Sequence, residues 1–314
     1  MSRDQQLVSR VLAGDRVAIA RAISVIENEL PAAPLVLQEI YRHTGKAYRV
    51  GITGPPGAGK STMSNKLARW YRNQGLRIGI IAVDPTSPFT GGALLGDRVR
   101  MTDVELDEGV FIRSMASRGS LGGLSRKTRE AADILDASGC DVILMETVGV
   151  GQSELDIVRS ADTTVVVLVP ESGDSIQAMK AGLMEIADFF VMNKSDRAGA
   201  EQAVMAIKTV MSLRPHGDGW SPDVLRAVAS EGKGIDEVAA LIAKHRSHLE
   251  SGGGLRTKRS ARIAERIREI IGEHLHVEFW TPERVGQLDS AIGRVLAFNS
   301  TPYDIVNELL AQFP

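Results

Sequence analysis

The sequence predicts an α/β fold: a doubly wound, mainly parallel sheet with a helical N-terminal extension and a helical C-terminal arm. Three observations predict it. Aliphatic and β-branched runs alternate with helical patterns from Tyr48 to about Leu249. Most of these runs are continuous rather than alternating polar and apolar, as expected of strands buried on both faces. One of them, Arg49–Thr53, runs directly into Gly54-Pro55-Pro56-Gly57-Ala58-Gly59-Lys60-Ser61, which a helix pattern follows. That is the strand, loop and helix context of a phosphate-binding loop, so the class is a P-loop NTPase.

Taken in order, residues 1–45 read as a helical extension. Asp15 is placed to cap a helix whose Ile19, Ile23 and Ile26 share one face, Pro31 and Pro34 break it, and a second helix runs to about Tyr41. Residues 46–250 form the main domain. Its expected strands are Arg49–Thr53, Arg77–Val83, Val110–Arg113, Asp141–Glu146, Thr163–Val169, Phe189–Met192 and Val224–Val228. Helical patterns lie between them at Ser61–Arg72, Leu124–Ala137, Gln177–Glu185, Gly199–Met211 and Ile235–Leu249. Residues 251–314 form the arm. Ser251-Gly252-Gly253-Gly254 reads as a linker. After it, Ile263, Ile267, Ile270, Ile271 and Leu275 mark the apolar face of a helix whose other face is rich in arginine. That basic face reads as solvated surface, an oligomer arm or a surface for an acidic partner. Two short helices near Pro282–Leu296 and Pro302–Gln312 close the chain.

Composition narrows the function classes. A net charge of −2 gives no global field favouring nucleic acid or an anionic membrane, and no aromatic residues are interleaved with the basic face as single-strand binding requires. No apolar run approaches membrane-spanning length, and the first residues lack a secretory apolar segment. The expectation is a cytoplasmic protein. Cys140 is the only cysteine, so no intramolecular disulfide forms, and its place at the head of an apolar run reads as a buried structural thiol.

The motifs carry the chemistry. Gly54, Gly57 and Gly59 allow tight turns, so that the loop Gly54, Pro55, Pro56, Gly57, Ala58, Gly59, Lys60, Ser61 and Thr62 surrounds phosphate oxygens at a helix N-terminus, with backbone N–H donors from all but the two prolines. Lys60 neutralises the β- and γ-phosphates, and the Ser61 hydroxyl ligates Mg²⁺. Asn193-Lys194-Ser195-Asp196 ends the Phe189–Met192 run. Such an N-K-x-D element reads guanine: Asp196 accepts from N1–H and N2–H₂, a donor pair adenine lacks, while Lys194 lies along the base and Asn193 braces the loop. A backbone N–H after the last strand, expected from Ala229, meets guanine O6. Glu146-Thr147-Val148-Gly149 stands where other GTPases carry D-x-x-G, so Glu146 is expected to hold Mg²⁺ and the Gly149 N–H to reach the γ-phosphate. Asp84, at the tip of the second strand, and Gln152 are both candidates to orient the attacking water. Asp97 is a candidate Mg²⁺ ligand or, equally by spacing, a helix cap.

These residues resemble the MeaB-type GTPases of the SIMIBI class, relatives of the human methylmalonic aciduria type A protein and of proteins once described as arginine/ornithine transport ATPases. The resemblance rests on Gly54–Ser61, on Asp84-Pro85-Thr86-Ser87 through Gly91-Gly92-Ala93-Leu94-Leu95-Gly96-Asp97-Arg98-Val99-Arg100-Met101, on Arg118–Gly123, on Glu146–Glu154 and on Asn193–Asp196, and it covers nearly the whole chain. The Ala229 region departs from the usual pattern. The resemblance implies a homodimeric G-protein chaperone that gates adenosylcobalamin loading and protects an acyl-CoA mutase, usually methylmalonyl-CoA mutase, with adenosylcobalamin reaching it only through that partner. It also implies a third mobile loop over 171–182, in which Gln177 and Lys180 are candidates for partner-dependent activation.

The expected reaction is Mg²⁺-dependent hydrolysis of GTP to GDP and phosphate by in-line attack of water. One rival, a metal-insertion GTPase of the nickel-maturation kind, requires a Cys/His cluster with ligand spacing, which the chain lacks. His245 and His248, one helical turn apart, read as part of a polar helix face or as a weak surface metal pair. A second rival, an ATPase linked to amino-acid transport, conflicts with Asp196. A third, a small-molecule kinase, lacks an acceptor motif.

Overall fold

The structure, a computed structural model, describes residues 2–85, 104, 106–117, 123–147, 159–172, 182–212, 219–311 and 313. Seven strands form its sheet: β1 (Tyr48–Thr53), β2 (Ile78–Pro85), β3 (Val110–Ser117), β4 (Val142–Glu146), β5 (Thr163–Leu168), β6 (Phe189–Met192) and β7 (Val224–Arg226). They lie in the order β3-β2-β4-β1-β5-β6-β7, and every pairing is parallel. The phosphate-loop strand β1 is therefore central. All residues of β1, β4, β5 and β6 are buried, which is why these segments read as unbroken apolar runs.

Side chains alternate between two cores. On one face Val50, Ile52, Ile78, Ile80 and Leu144 pack against Met63, Leu67 and Ala68 of α4 (Lys60–Asn73) and against residues 235–242. On the other, Ile81, Val83, Met115, Ile143 and Met145 meet α5 (Gly123–Ala137) and three N-terminal helices, α1 (Arg3–Leu12), α2 (Arg16–Glu27) and α3 (Ala33–Tyr41). Asp15 caps α2, accepting from the Val17 and Ala18 N–H groups. Ile19, Ile23, Ile26 and Ile40 share this core with Ile134 and Leu135 of α5. The helical extension thus forms part of one compact unit spanning Met1–Leu255. A third core gathers Val166, Phe190 and Met192 with Leu183 of α6 (Gly182–Ile186) and Val204 and Ile207 of α7 (Ala200–Ser212).

Several boundaries differ from the sequence reading. β2 and β3 run on together to Pro85 and Ser117, because Asp84 pairs with Ala116 and Pro85 with Ser117 in the parallel ladder. β7 stops at Arg226, after which Val228 makes an isolated bridge with Lys233. Of the helix expected over Gln177–Glu185, only the part from Gly182 falls among the described residues. The glycine-rich linker is a correction: α8 (Ile235–Ser251) and α9 (Gly254–Phe279) are separated by Gly252 and Gly253 alone. Gly253 takes φ of +71°, so glycine ends a helix here rather than loosening the chain.

The second unit, Arg256–Pro314, holds the rest of α9 with α10 (Pro282–Leu296) and α11 (Pro302–Leu310). Thr281 and Thr301 cap the last two helices. Its core is small: Ala291, Ile305 and Leu309, with Phe279, Trp280, Leu288 and Val295 packed around them. No residue of α9 is buried.

Candidate functional site

The carboxyl ends of the central strands bring the site together. Register places Glu146 of β4 beside Ile52, Val166 of β5 beside Thr53, and Met192 of β6 beside Leu168. The residues that follow each strand therefore open at one edge, where ligands of such sheets bind.

The loop after β1 follows from close approach. Gly54 has φ of +138°, and a Cβ there would lie 2.0 Å from the Val167 carbonyl oxygen of β5, so only glycine lets the loop leave the sheet. Gly59 (φ +89°) caps α4 without a side chain, and a Cβ there would lie 2.4 Å from Asn193 Nδ2. Gly57 also has positive φ, +74°. Lys60 opens α4, and its buried ammonium donates to the carbonyls of Gly54 (2.9 Å) and Pro55 (3.0 Å), folding the side chain back over the loop. Pro56 is exposed, Ala58 is buried, and Thr62 is half-buried in the first turn of α4.

Beside the loop lies an oxygen cluster. Ser61 Oγ donates to Glu146 Oε1 at 2.5 Å. Ser64, one helical turn on from Lys60, brings its hydroxyl to 3.1 Å from Glu146 Oε2. The hydroxyls of Thr53, the last residue of β1, and Thr147, next to Glu146, pair at 2.9 Å. All five side chains are buried. An alcohol and a carboxylate in contact are hard oxygen donors, the set Mg²⁺ selects, so these residues fit that ion. Asp84 lies near the end of β2, and its side chain is outside what is described. Asp97, Gly149, Gln152, Gln177 and Lys180 all lie outside the described residues.

The Asn193–Asp196 element is tied to the loop by its side chains. Asn193 is buried; its Nδ2 donates to the Ala58 carbonyl at 2.8 Å and its Oδ1 accepts from the Ala229 N–H at 3.0 Å. Lys194, with φ of +55°, donates to the Gly57 carbonyl at 2.8 Å. Ser195 N–H bonds the Ala227 carbonyl, and Asp196 follows on the exposed turn. Charges ring this turn. Arg197 hydrogen-bonds Glu171, which holds that carboxyl below its ordinary value. Lys233 is raised above its ordinary value by its bond to Glu231, with a further contribution from Asp196.

The Ala229 N–H, expected to meet guanine O6, donates here to Asn193 Oδ1; in the turn Ala229–Glu231 the N–H of Glu231 returns to Val228, and that of Gly232 to Ala229. One sequence-based expectation changes here. His245 is no surface residue: its Nδ1 meets Thr163 Oγ1 at 2.8 Å, its Nε2 lies 3.4 Å from Asp188, and Trp220 packs against both His245 and His248. Its partners lie too far away in sequence for helical spacing to reveal them. Sequence reasoning also passed over Ser64. The available signal was a polar residue on the face of α4 that carries Met63, Leu67 and Ala68.

Taken together, backbone donors at a helix N-terminus, a buried ammonium and a hard-oxygen pair can bind a polyphosphate with its divalent cation. Comparison with known proteins agrees. A sequence model of the family described as methylmalonyl Co-A mutase-associated GTPase MeaB matches residues 19–284. The chain is 49% identical over 310 residues to a protein of Pyrococcus abyssi named as a GTPase, covering 98% of this chain and 96% of that one. It is 34% identical over 337 residues to the mitochondrial methylmalonic aciduria type A homolog of Mus musculus, covering 99% and 80%. The solved structure of a LAO/AO transport system kinase superposes with a TM-score of 0.76 at 27% identity, covering 99% of this chain and 98% of that chain.

Proposed function

Because the chain belongs to the MeaB family of methylmalonyl-CoA mutase-associated GTPases and is a GTPase, we propose that it is a G-protein chaperone of an adenosylcobalamin-dependent acyl-CoA mutase, methylmalonyl-CoA mutase foremost. In this reading GTP hydrolysis gates cofactor loading and protects the mutase, and adenosylcobalamin is met only through that partner. The observation that supports the nucleotide assignment is the double tie of Asn193 to Ala58 and Ala229, which joins the Asn193–Asp196 element to the phosphate loop.

The chain's own residues have these roles. Asp196 accepts from the guanine N1–H and N2–H₂, Lys194 lies against the base, and a backbone N–H of the turn after β7, Ala229 by the sequence reading, meets O6. The loop from Gly54 to Thr62 holds the phosphates through the N–H groups of all its residues but Pro55 and Pro56. Lys60 releases its loop carbonyls to follow charge onto the γ-phosphoryl group as water attacks in line. Ser61 and Glu146, with Asp97 as a third candidate, would hold Mg²⁺, which when bound would offset phosphate charge. Gly149 reaches the γ-phosphate, Asp84 or Gln152 orients the water, and Gln177 and Lys180 respond to the partner. The arm 251–314 forms a homodimer contact, and the protein acts in the cytoplasm; no described helix is long and apolar enough to cross a membrane. The metal-insertion alternative finds no cluster of three or more His, Cys, Asp or Glu among the described residues.

Turnover measured with and without purified methylmalonyl-CoA mutase tests the partner. Acceleration of at least roughly 10-fold is expected from ordering of activating groups, and an unchanged rate removes the chaperone reading while leaving the GTPase. Asp196→Asn tests the base assignment. Xanthine presents an acceptor where guanine has a donor, so preference should move from GTP toward XTP by on the order of 100-fold.

A further inference from the structure

We infer that Ser64 is a positioning residue for Glu146, fixing the carboxylate so that the site gains its full increment of nucleotide affinity from Mg²⁺. The inference rests on the Mg²⁺-nucleotide reading above. It starts from a residue that makes little sense as packing. Ser64 is fully buried inside α4, between Met63 and Leu67 of the apolar core, where alanine would propagate the helix better and leave no hydroxyl to satisfy.

Its hydroxyl lies 3.0 Å from the Lys60 carbonyl and 3.1 Å from Glu146 Oε2. It has one proton for two acceptors, and the anionic carboxylate is the stronger. Ser61 already donates to the other carboxylate oxygen, Oε1. The last torsion of a glutamate is broad, so donors on both oxygens hold the carboxylate plane more tightly than a donor on one. Both donors stand on the first two turns of α4, three residues apart, so one rigid helix sets the plane. With its proton held by Glu146, the Ser61 hydroxyl can meet a cation only through its oxygen. Ser64 touches neither nucleotide nor cation in this arrangement; it acts only through Glu146. Outer partners of this kind typically change metal affinity 10- to 100-fold.

The test is the ratio of GDP dissociation constants in EDTA and in excess Mg²⁺, measured by titration of the full-length chain. Ser64→Ala should bind GDP in EDTA within about 2-fold of wild type, while the Mg²⁺-dependent tightening falls roughly 10-fold. Ser64→Thr, which keeps the hydroxyl, should restore it. If Ser64→Ala yields no folded protein, Ser64→Cys, nearly isosteric and only a weak donor, should show the same loss in smaller measure. A ratio equal to wild type in Ser64→Ala, or in Ser64→Cys where that is the variant read, overturns the inference. So does an equal loss of affinity with and without Mg²⁺, which marks a merely structural serine. Wild type showing no Mg²⁺ tightening, or binding ADP as well as GDP, instead fails the underlying nucleotide reading and the Ser64 inference with it.

Discussion

A methyl group is enough to separate the glycines of the phosphate loop. At Gly54 an added Cβ collides with the β5 backbone at 2.0 Å, and neither strand can give way. Gly54→Ala should therefore cost about 3 kcal/mol or more and lower the melting temperature by roughly 10 °C, with nucleotide binding lost. Gly57→Ala meets nothing within 4 Å, so it should cost only about 1 kcal/mol for its left-handed φ. Calorimetry of the pair checks the contrast; equal losses would show that conformation, not contact, governs both sites. The sequence shows both positions as glycine in a motif and cannot rank them, since the Val167 carbonyl comes from a strand more than a hundred residues away. Cys140 was legible by contrast, because its setting is local: burial pushes its thiol up to about 11, as expected of an inert core residue.

Between elements, the decisive links are made by one side chain. Asn193 joins the loop before α4, the end of β6 and the turn after β7. Asn193→Ala leaves the Ala58 carbonyl and the Ala229 N–H buried without that partner, so about 2–4 kcal/mol of stability should be lost. GTP affinity should fall at the same time, because the turn proposed to read the base and the phosphate loop are no longer held in register. Denaturant unfolding and nucleotide titration on one preparation check both; normal affinity would show that the tie is structural only. The strands themselves were legible because burial on both faces leaves an unbroken apolar record. Their ends were less so. β3 continues through Arg113 and Ser114, which interrupt the apolar pattern, because Arg113 is matched by Glu27 and Ser24 on α2. The tie from Asn193 to the Ala229 N–H was hidden for a similar reason: spacing shows which turn follows β7 but not which of its N–H groups a distant side chain takes.

At the scale of the molecule, the two units differ in how they hold their apolar residues. Residues up to Leu255 enclose three cores, whereas the unit from Arg256 leaves Ile263, Ile267, Ile270, Ile271 and Leu275 each between 44% and 52% exposed. The proposed dimer contact uses this stripe, and a stable interface covers on the order of 800 Å² on each partner. Ile267→Glu combined with Ile271→Glu should convert the dimer to a monomer by light scattering, with GDP affinity unchanged. A variant that stays dimeric would place the contact elsewhere. The first unit has a further consequence, in the order of synthesis. Helices α1–α3 share their core with α5, which is translated only after β2 and β3. A nascent chain that has emerged as far as β3 therefore carries Ile19, Ile23, Ile26 and Ile40 with much of their packing partner still inside the ribosome. Folding of the N-terminal layer waits on the middle of the chain, and a polypeptide ending before Gly123 is a client for chaperones rather than a smaller native protein.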